Sequence, residues 1–366
     1  MEAGLLGTDG PAAGLTDSMN AICTGSDRLS GGGKPAVSVI LIAFNRRDYI
    51  EDAFRSILAQ TVDRSLFEII VIKNFPSQLI DGWTGEPSMT MVQSPSAAIG
   101  ESYSLGVRLS RGEIICFLND DDEYEPTRLA RLFELFSTCS GPVYYHNQRT
   151  VIDENGKAIS GRLAESLAGN QLDELLVLGP ELLKGSILPS TFDVYFNESS
   201  MALSRQILLN RQRELHGGPQ FIDIFMVCTA LAENATFILD SRRLTKYRVH
   251  GNQVSDWTDA GNCRKSVDES NSLINKHIVT EHNCMPLVEG TAVGVLFRKN
   301  IPRLILTNQL YYSRKKDSAR LLRNMFSYLR MRNTGDIADV LALTFLSLVY
   351  SVSHQLPRRF VGAVKR

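Results

Sequence analysis

Ile114-Ile115-Cys116-Phe117-Leu118-Asn119-Asp120-Asp121-Asp122-Glu123 joins five apolar residues to a run of acids, and each half says something about the fold. The apolar half does not alternate with polar residues, which predicts a strand buried on both faces, as in a parallel sheet covered by helices. The acidic half places three adjacent carboxylates at the end of that strand, a costly arrangement unless a cation or hydrogen-bond donors neutralise them. The C-terminal edge of a parallel sheet is also where open α/β folds bind ligands. A hard divalent ion, Mg²⁺ or Mn²⁺, takes oxygen ligands and shares them with substrate phosphates. The competing reading is an acidic cap on a helix beginning near Pro126, favoured by the helix dipole. A cap needs only one acid, however, and needs no strand directly before it.

Working outward, Val37-Ser38-Val39-Ile40-Leu41-Ile42-Ala43 and Phe67-Glu68-Ile69-Ile70-Val71-Ile72 have the same buried-strand character, and Met89 to Gln93 reads as a shorter third strand. Tyr49, Ala53, Phe54, Ile57 and Leu58 recur at helical spacing between the first two, and a helix carrying Leu105, Val107 and Leu109 precedes Ile114. Strand, helix and strand in this order predict a mostly parallel central sheet built by right-handed crossovers, an α/β fold. Past residue 140 the pattern is mixed. Pro142–His146 and Thr150–Ile152 read as two strands, Phe221–Ala232 as a helix, and Thr236–Leu239 as a strand.

Residues 1–34, with Gly31-Gly32-Gly33 at their end, carry no hydrophobic period and are expected to be disordered, with Met19 as an alternative start. Residues 35–265 are expected to form the α/β domain and 266–366 a C-terminal helical region. The chain has 366 residues, and 39 Lys and Arg against 40 Asp and Glu leave a net charge of −1, which argues against nucleic acid as a partner. No 20-residue apolar stretch opens the chain, so no signal peptide is expected. The cysteines at 23, 116, 139, 228, 263 and 284 show no paired spacing, consistent with a reducing, cytoplasmic setting.

The quoted segments, taken in order, resemble the nucleotide-binding half of a family 2 glycosyltransferase with the GT-A fold. They are Val37–Arg46, Ser56–Thr61, Glu68–Ile72 and Gly112–Asp122, and Thr245–Ser255 resembles the Tyr-Arg-x-His segment that closes the catalytic domain in many members. The resemblance covers residues 36–255. It implies a metal-dependent, inverting transfer of a sugar from a nucleotide-sugar donor to a hydroxyl, with Mn²⁺ or Mg²⁺ held against the donor diphosphate. Asp122 is then the expected direct metal ligand. Asp120 faces ribose or sugar and also borders the metal, and Asp121 is held in reserve. His250 is a further metal or phosphate contact, or a structural loop histidine; Arg248 pairs with phosphate or anchors its loop.

Phe44, Asn45 and Arg46 fall where the donor's nucleoside would lie. Asn74 falls there too, although the family commonly has Asp-Asp where this chain has Lys73-Asn74, and lysine cannot accept a hydrogen bond. Gly100 and Ser104 lie on the helix start that the resemblance places beside phosphate or sugar. The base expected to deprotonate the acceptor is Asp223, the only carboxylate in Gly217–Phe225, with Glu198 as the alternative.

Residues 298–332 hold ten Lys or Arg against Asp317 alone, interleaved with apolar residues, a pattern that suits a basic amphipathic helix on an anionic membrane surface. Val340 to Pro357 carries no charge but is short and polar for a spanning helix. These features predict a cytoplasmic protein, or one peripheral on the inner face of the membrane, acting on a hydroxyl acceptor in polysaccharide, glycolipid or lipid-linked oligosaccharide synthesis. A homo-oligomer contact is the other use for this tail. The alternatives for the whole chain are a non-catalytic nucleotide-binding scaffold and a sugar nucleotidyltransferase.

Overall fold

In the computed structural model residues 34–304 are described, apart from 86–87, 95–98, 169–171, 181–195, 218–220, 252–266, 292, 296, 299 and 302–303. The expectations for residues 1–33, 305–332 and 340–357 lie outside the described residues.

Three apolar runs become the heart of the sheet. Val37–Ala43 (β1) lies between Phe67–Lys73 (β2) and Ile114–Asn119 (β4), parallel to both, and Met89–Gln93 (β3) adds a more exposed parallel edge beyond β2. Each crossover is helical: Ile50–Leu58 (α1) and the short Gln78–Asp81 (α2) follow β1 and β2, and Ile99–Leu109 (α3) leads into β4. Side chains alternate between faces along a strand, so the same strands feed two cores. Val39, Leu41, Ile69, Val71, Cys116 and Leu118 pack with α1 and with Arg128–Ser137 (α4) on one face. Ile40, Ile70, Ile72, Ile115 and Phe117 pack with α3 on the other. Gly106 makes this second packing close: a Cβ there would lie 2.6 Å from Ile40 Cγ2.

The sheet continues past β4 with reversed strands. Met201–Ser204 (β8) is antiparallel to β4 and to Val143–Ile152 (β6), β6 runs parallel to Thr236–Arg248 (β9), and β9 pairs antiparallel with Glu123–Tyr124 (β5) and Leu176–Leu178 (β7). The two strands expected at 142–152 are one, β6, and the strand expected at 236–239 runs on to Arg248. Their polar centres look like loops in sequence because they break the apolar run. In the fold the pairing slips at Asn147 and Gln148, and the polar side chains turn inward to partners. Asn147 Oδ1 accepts from Arg128 Nε at 3.1 Å and its Nδ2 donates to Thr245 Oγ1 at 3.0 Å, as buried polar groups require.

Between β6 and β7 lies Arg162–Leu167 (α5). Arg205–Leu209 (α6), Gln212–His216 (α7) and Ile222–Ala232 (α8) follow β8, and Val267–Val288 (α9) follows β9. Ile278, Cys284, Met285 and Val288 of α9 share the core of α8, so this helix is packed into the same hydrophobic cluster as the sheet. No helix among the described residues is long and apolar enough to cross a membrane.

Candidate functional site

β1 and β4 end side by side, with Ile42 opposite Asn119, so the residues just after each strand meet at one edge of the sheet. After β1 the chain must turn sharply. Asn45 does this with φ of +60°, a left-handed conformation that asparagine tolerates better than most residues. A reciprocal pair locks the turn: Asn45 N–H donates to Asn74 Oδ1 at 2.9 Å, and Asn74 Nδ2 donates to Asn45 Oδ1 at 2.7 Å. Arg46 is thereby aimed back across the end of β4. Its Nε and Nη2 donate to Asp120 Oδ1, Nε at 3.0 Å, and its Nη1 lies 2.8 Å from Asp121 Oδ2. Phe44 stands exposed beside this turn.

β9 delivers the other half of the site. His250, just past its end, sets Nε2 3.1 Å from Asp121 Oδ2 and 3.5 Å from Arg46 Nη1, with its ring against Tyr49. Asp120, Asp121, Arg46 and His250 thus converge although they are up to 204 positions apart. Burial raises the pKa of Asp120 to about 6, opposed by the charge of Arg46 and reinforced by that of Asp121.

Two expected residues, Asp122 and Ser104, are placed away from their expected roles. Asp122 is not placed as a direct metal ligand: it is 1% exposed and points into the protein. Its Oδ1 accepts from the Arg248 N–H at 3.1 Å, its Oδ2 accepts from Asn197 Nδ2 at 2.8 Å, and Ser199 also hydrogen-bonds to it. Both carboxylate oxygens are engaged in tying β9 and the turn before β8 to the end of β4. Burial pushes its pKa up, and neighbouring Asp121 adds to the rise.

Arg248 takes the second of its two expected roles, anchoring its loop as a buried clamp. Nε donates to Asp121 O at 2.9 Å, Nη1 to Asp153 O and Glu154 O, and Nη2 pairs with Glu123, while the guanidinium lies over the Tyr49 ring. Ser104 does not face the sheet edge: its hydroxyl donates to Gln212 Oε1 at 2.8 Å and joins α3 to α7. Lys73 is likewise turned in, donating to Phe75 O and pairing with Asp81. Gly100 lies buried in the first turn of α3.

Asp223 sits in the first turn of α8, half-buried, with Oδ1 accepting from the Ile224 N–H at 2.8 Å. Glu198 reaches the end of β4, where Asn119 Nδ2 donates to its Oε2 at 3.2 Å, and burial raises its pKa. Tyr103 of α3 links these groups. Its hydroxyl donates to Asn119 Oδ1, and its ionisation is opposed first by burial and then by the charges of Glu198, Asp223, Asp120 and Asp121. Glu198 therefore borders the acidic strand end, and the charge of Asp223 is felt at Tyr103.

Asn119, Tyr103, Asn197 and Ser199 escaped the sequence reading. The available signal was the polar run Asn197–Ser200 ahead of an apolar strand, with Asn119 as the first polar residue after Leu118.

The residues present fit a divalent ion in part. Asp121 Oδ2 and His250 Nε2, 3.1 Å apart, match the roughly 3 Å between neighbouring ligands of an octahedral ion with bonds of about 2.1 Å. Among the described residues no three His, Cys, Asp or Glu side chains are grouped to hold an ion by themselves.

Residues 38–180 match the sequence model for glycosyl transferase family 2. An uncharacterised glycosyltransferase of Nostoc sp. is 29% identical over 151 residues, covering 36% of this chain and 44% of that protein. One from Rickettsia bellii is 26% identical over 148 residues, covering 39% and 21%. The chain thus spans less than half the length of the curated relatives it matches. Among solved structures, S. aureus TarS 1–349 in complex with UDP superposes with a TM-score of 0.51 at 12% identity, covering 88% of this chain and 93% of that one. That likeness concerns the fold.

Proposed function

We propose, from the match of residues 38–180 to the glycosyl transferase family 2 model and from the likeness of the fold to TarS, that the protein transfers a sugar from a nucleoside diphosphate sugar to a hydroxyl acceptor with inversion. The observation that carries this reading is the convergence of Arg46, Asp120, Asp121 and His250 at the C-terminal ends of β1 and β4, the edge at which this class of sheet binds its ligand. The nucleoside lies over Phe44 and the Asn45–Asn74 pair, whose amide atoms offer both donors and acceptors.

Asp121 and His250 would hold a divalent ion, Mn²⁺ or Mg²⁺. When bound, the ion neutralises charge on the departing nucleoside diphosphate. Asp120, paired with Arg46 in the donor-free site, is the carboxylate nearest the sugar. Asp223 accepts the proton of the acceptor hydroxyl. That oxygen attacks the anomeric carbon on the face opposite the diphosphate, and the bond from that carbon to the phosphate oxygen breaks as the new glycosidic bond forms. A base in this position contributes about 10²–10⁴-fold. Glu198 is the second reading for the base, favoured by its hydrogen bond to Asn119 at the strand end and its raised pKa. The acceptor is a lipid-linked or surface glycan met at a membrane that residues 298–332 engage.

A panel of UDP-, GDP-, ADP- and CDP-sugars, assayed for nucleoside diphosphate release with and without Mn²⁺, tests the proposal. Metal-dependent release from one donor is expected. Cooperatively folded protein that neither hydrolyses nor binds any of them would refute it in favour of a non-catalytic scaffold.

A further inference from the structure

Arg46 occupies the ground that a divalent ion would need. Its guanidinium spans Asp120 Oδ1 and Asp121 Oδ2, and the nitrogen 2.8 Å from Asp121 is also 3.5 Å from His250 Nε2. The two groups best spaced as metal ligands therefore already share a cation. A second cation placed between them would stand within about 4 Å of the guanidinium, where like charges repel strongly in a partly buried setting.

Arg46 also differs from the nearby Arg248 in how it is held. Its side chain is 19% exposed, and its described partners are Asp120, Asp121 and His250. Arg248, 1% exposed, is held by three backbone carbonyls, by Glu123 and by the Tyr49 ring. The turn that aims Arg46 is fixed by the positive φ of Asn45 and by Asn74, leaving the long side chain as the adjustable part. A guanidinium is well suited to exchange a carboxylate for a phosphate, since its fork matches either.

We infer that Arg46 is the resident counter-cation of the donor-free site, and that a divalent ion enters between Asp121 and His250 only as Arg46 releases Asp121 and turns onto the donor's diphosphate. This rests on the metal-dependent reading proposed above and adds an order to it: ion and diphosphate bind together, each weakly alone. The same arrangement keeps the acidic strand end neutralised between turnovers.

Mn²⁺ binding followed by the free-ion EPR signal tests this without any turnover. Wild type and Arg46→Gln are titrated with Mn²⁺ alone, then with saturating UDP, GDP, ADP or CDP. Wild type should bind Mn²⁺ weakly alone and at least about tenfold more tightly with one nucleotide, a usual size for coupling between sites. Arg46→Gln should bind Mn²⁺ alone at least about tenfold more tightly than wild type and lose most of the nucleotide enhancement. Adding Asp121→Asn to Arg46→Gln should abolish the new affinity. Arg46→Lys, which keeps the charge but not the fork, should stay weak for Mn²⁺ alone.

If wild type binds Mn²⁺ with a nucleotide while Arg46→Gln binds the ion alone no better than wild type, the inference fails and the metal-dependent reading stands. If wild type binds no Mn²⁺ with any of the four nucleotides, the metal-dependent reading fails and the inference with it.

Discussion

Replacing Asp122 by alanine separates a structural carboxylate from a metal ligand. The change removes the acceptor for the Arg248 N–H and for Asn197 Nδ2, both buried, along with a partner of Ser199. A buried donor left without a partner costs about 1–3 kcal/mol, so two of them cost about 2–6 kcal/mol. Relief of a carboxyl group that burial already disfavours returns part of this, leaving a net loss of about 1–4 kcal/mol. For a domain of this size that is a fall in Tm of about 2–12 °C.

Asp121→Ala is the control. It removes one partner of Arg46, which keeps Asp120, and the Asp121 partner of His250 Nε2, so fewer buried donors lose their acceptor than in Asp122→Ala and the stability loss should be smaller, while Mn²⁺-dependent nucleotide binding disappears. Differential scanning calorimetry and nucleotide titration on both variants give the comparison. An Asp122→Ala protein that melts with wild type, paired with an Asp121→Ala protein that still binds nucleotide with Mn²⁺, would refute the inward assignment.

Three further expectations follow from the site and the tail. Asp120, with a pKa of about 6, and Asp122, also raised, both hold their protons more tightly folded than unfolded. The stability they contribute is therefore full below about pH 4 and is lost as pH rises through about 6 to 7; a metal-free Tm from these groups that instead rises over that interval would contradict the burial argument. Asp223→Asn should lower turnover at least about 100-fold with donor affinity unchanged, whereas full activity in Asp223→Asn together with loss in Glu198→Gln would move the base to Glu198. Removing residues 298–366 should release the protein from anionic liposomes in a sedimentation assay, and continued pelleting would exclude the tail as the anchor.

The three strand-end carboxylates are placed differently, and the reason lies in particular residues. Asp120, Asp121 and Asp122 are chemically alike in sequence, and successive residues at a strand end point in different directions. Which one turns inward depends on donors that arrive from elsewhere, namely Asn197 before β8 and the backbone of Arg248 on β9. Ser104 and Arg248 turn inward for the same reason, since Gln212 and the Asp153–Glu154 carbonyls that engage them lie far along the chain or across a turn.

By itself, the sequence determined the parallel half of the sheet, because runs such as Ile69–Ile72 and Ile114–Leu118 can be buried only between two covering layers, and it located the acidic edge, because the strand carries its own C-terminal residues with it. The merging of 143–152 into one strand, the extension of β9 through its polar centre, and the meeting of Arg46 with Asp121 and His250 were decided only by the tertiary structure. Those outcomes depend on partners supplied across the sheet, and a polar residue's direction follows from where its hydrogen-bonding partner lies, which local sequence does not encode.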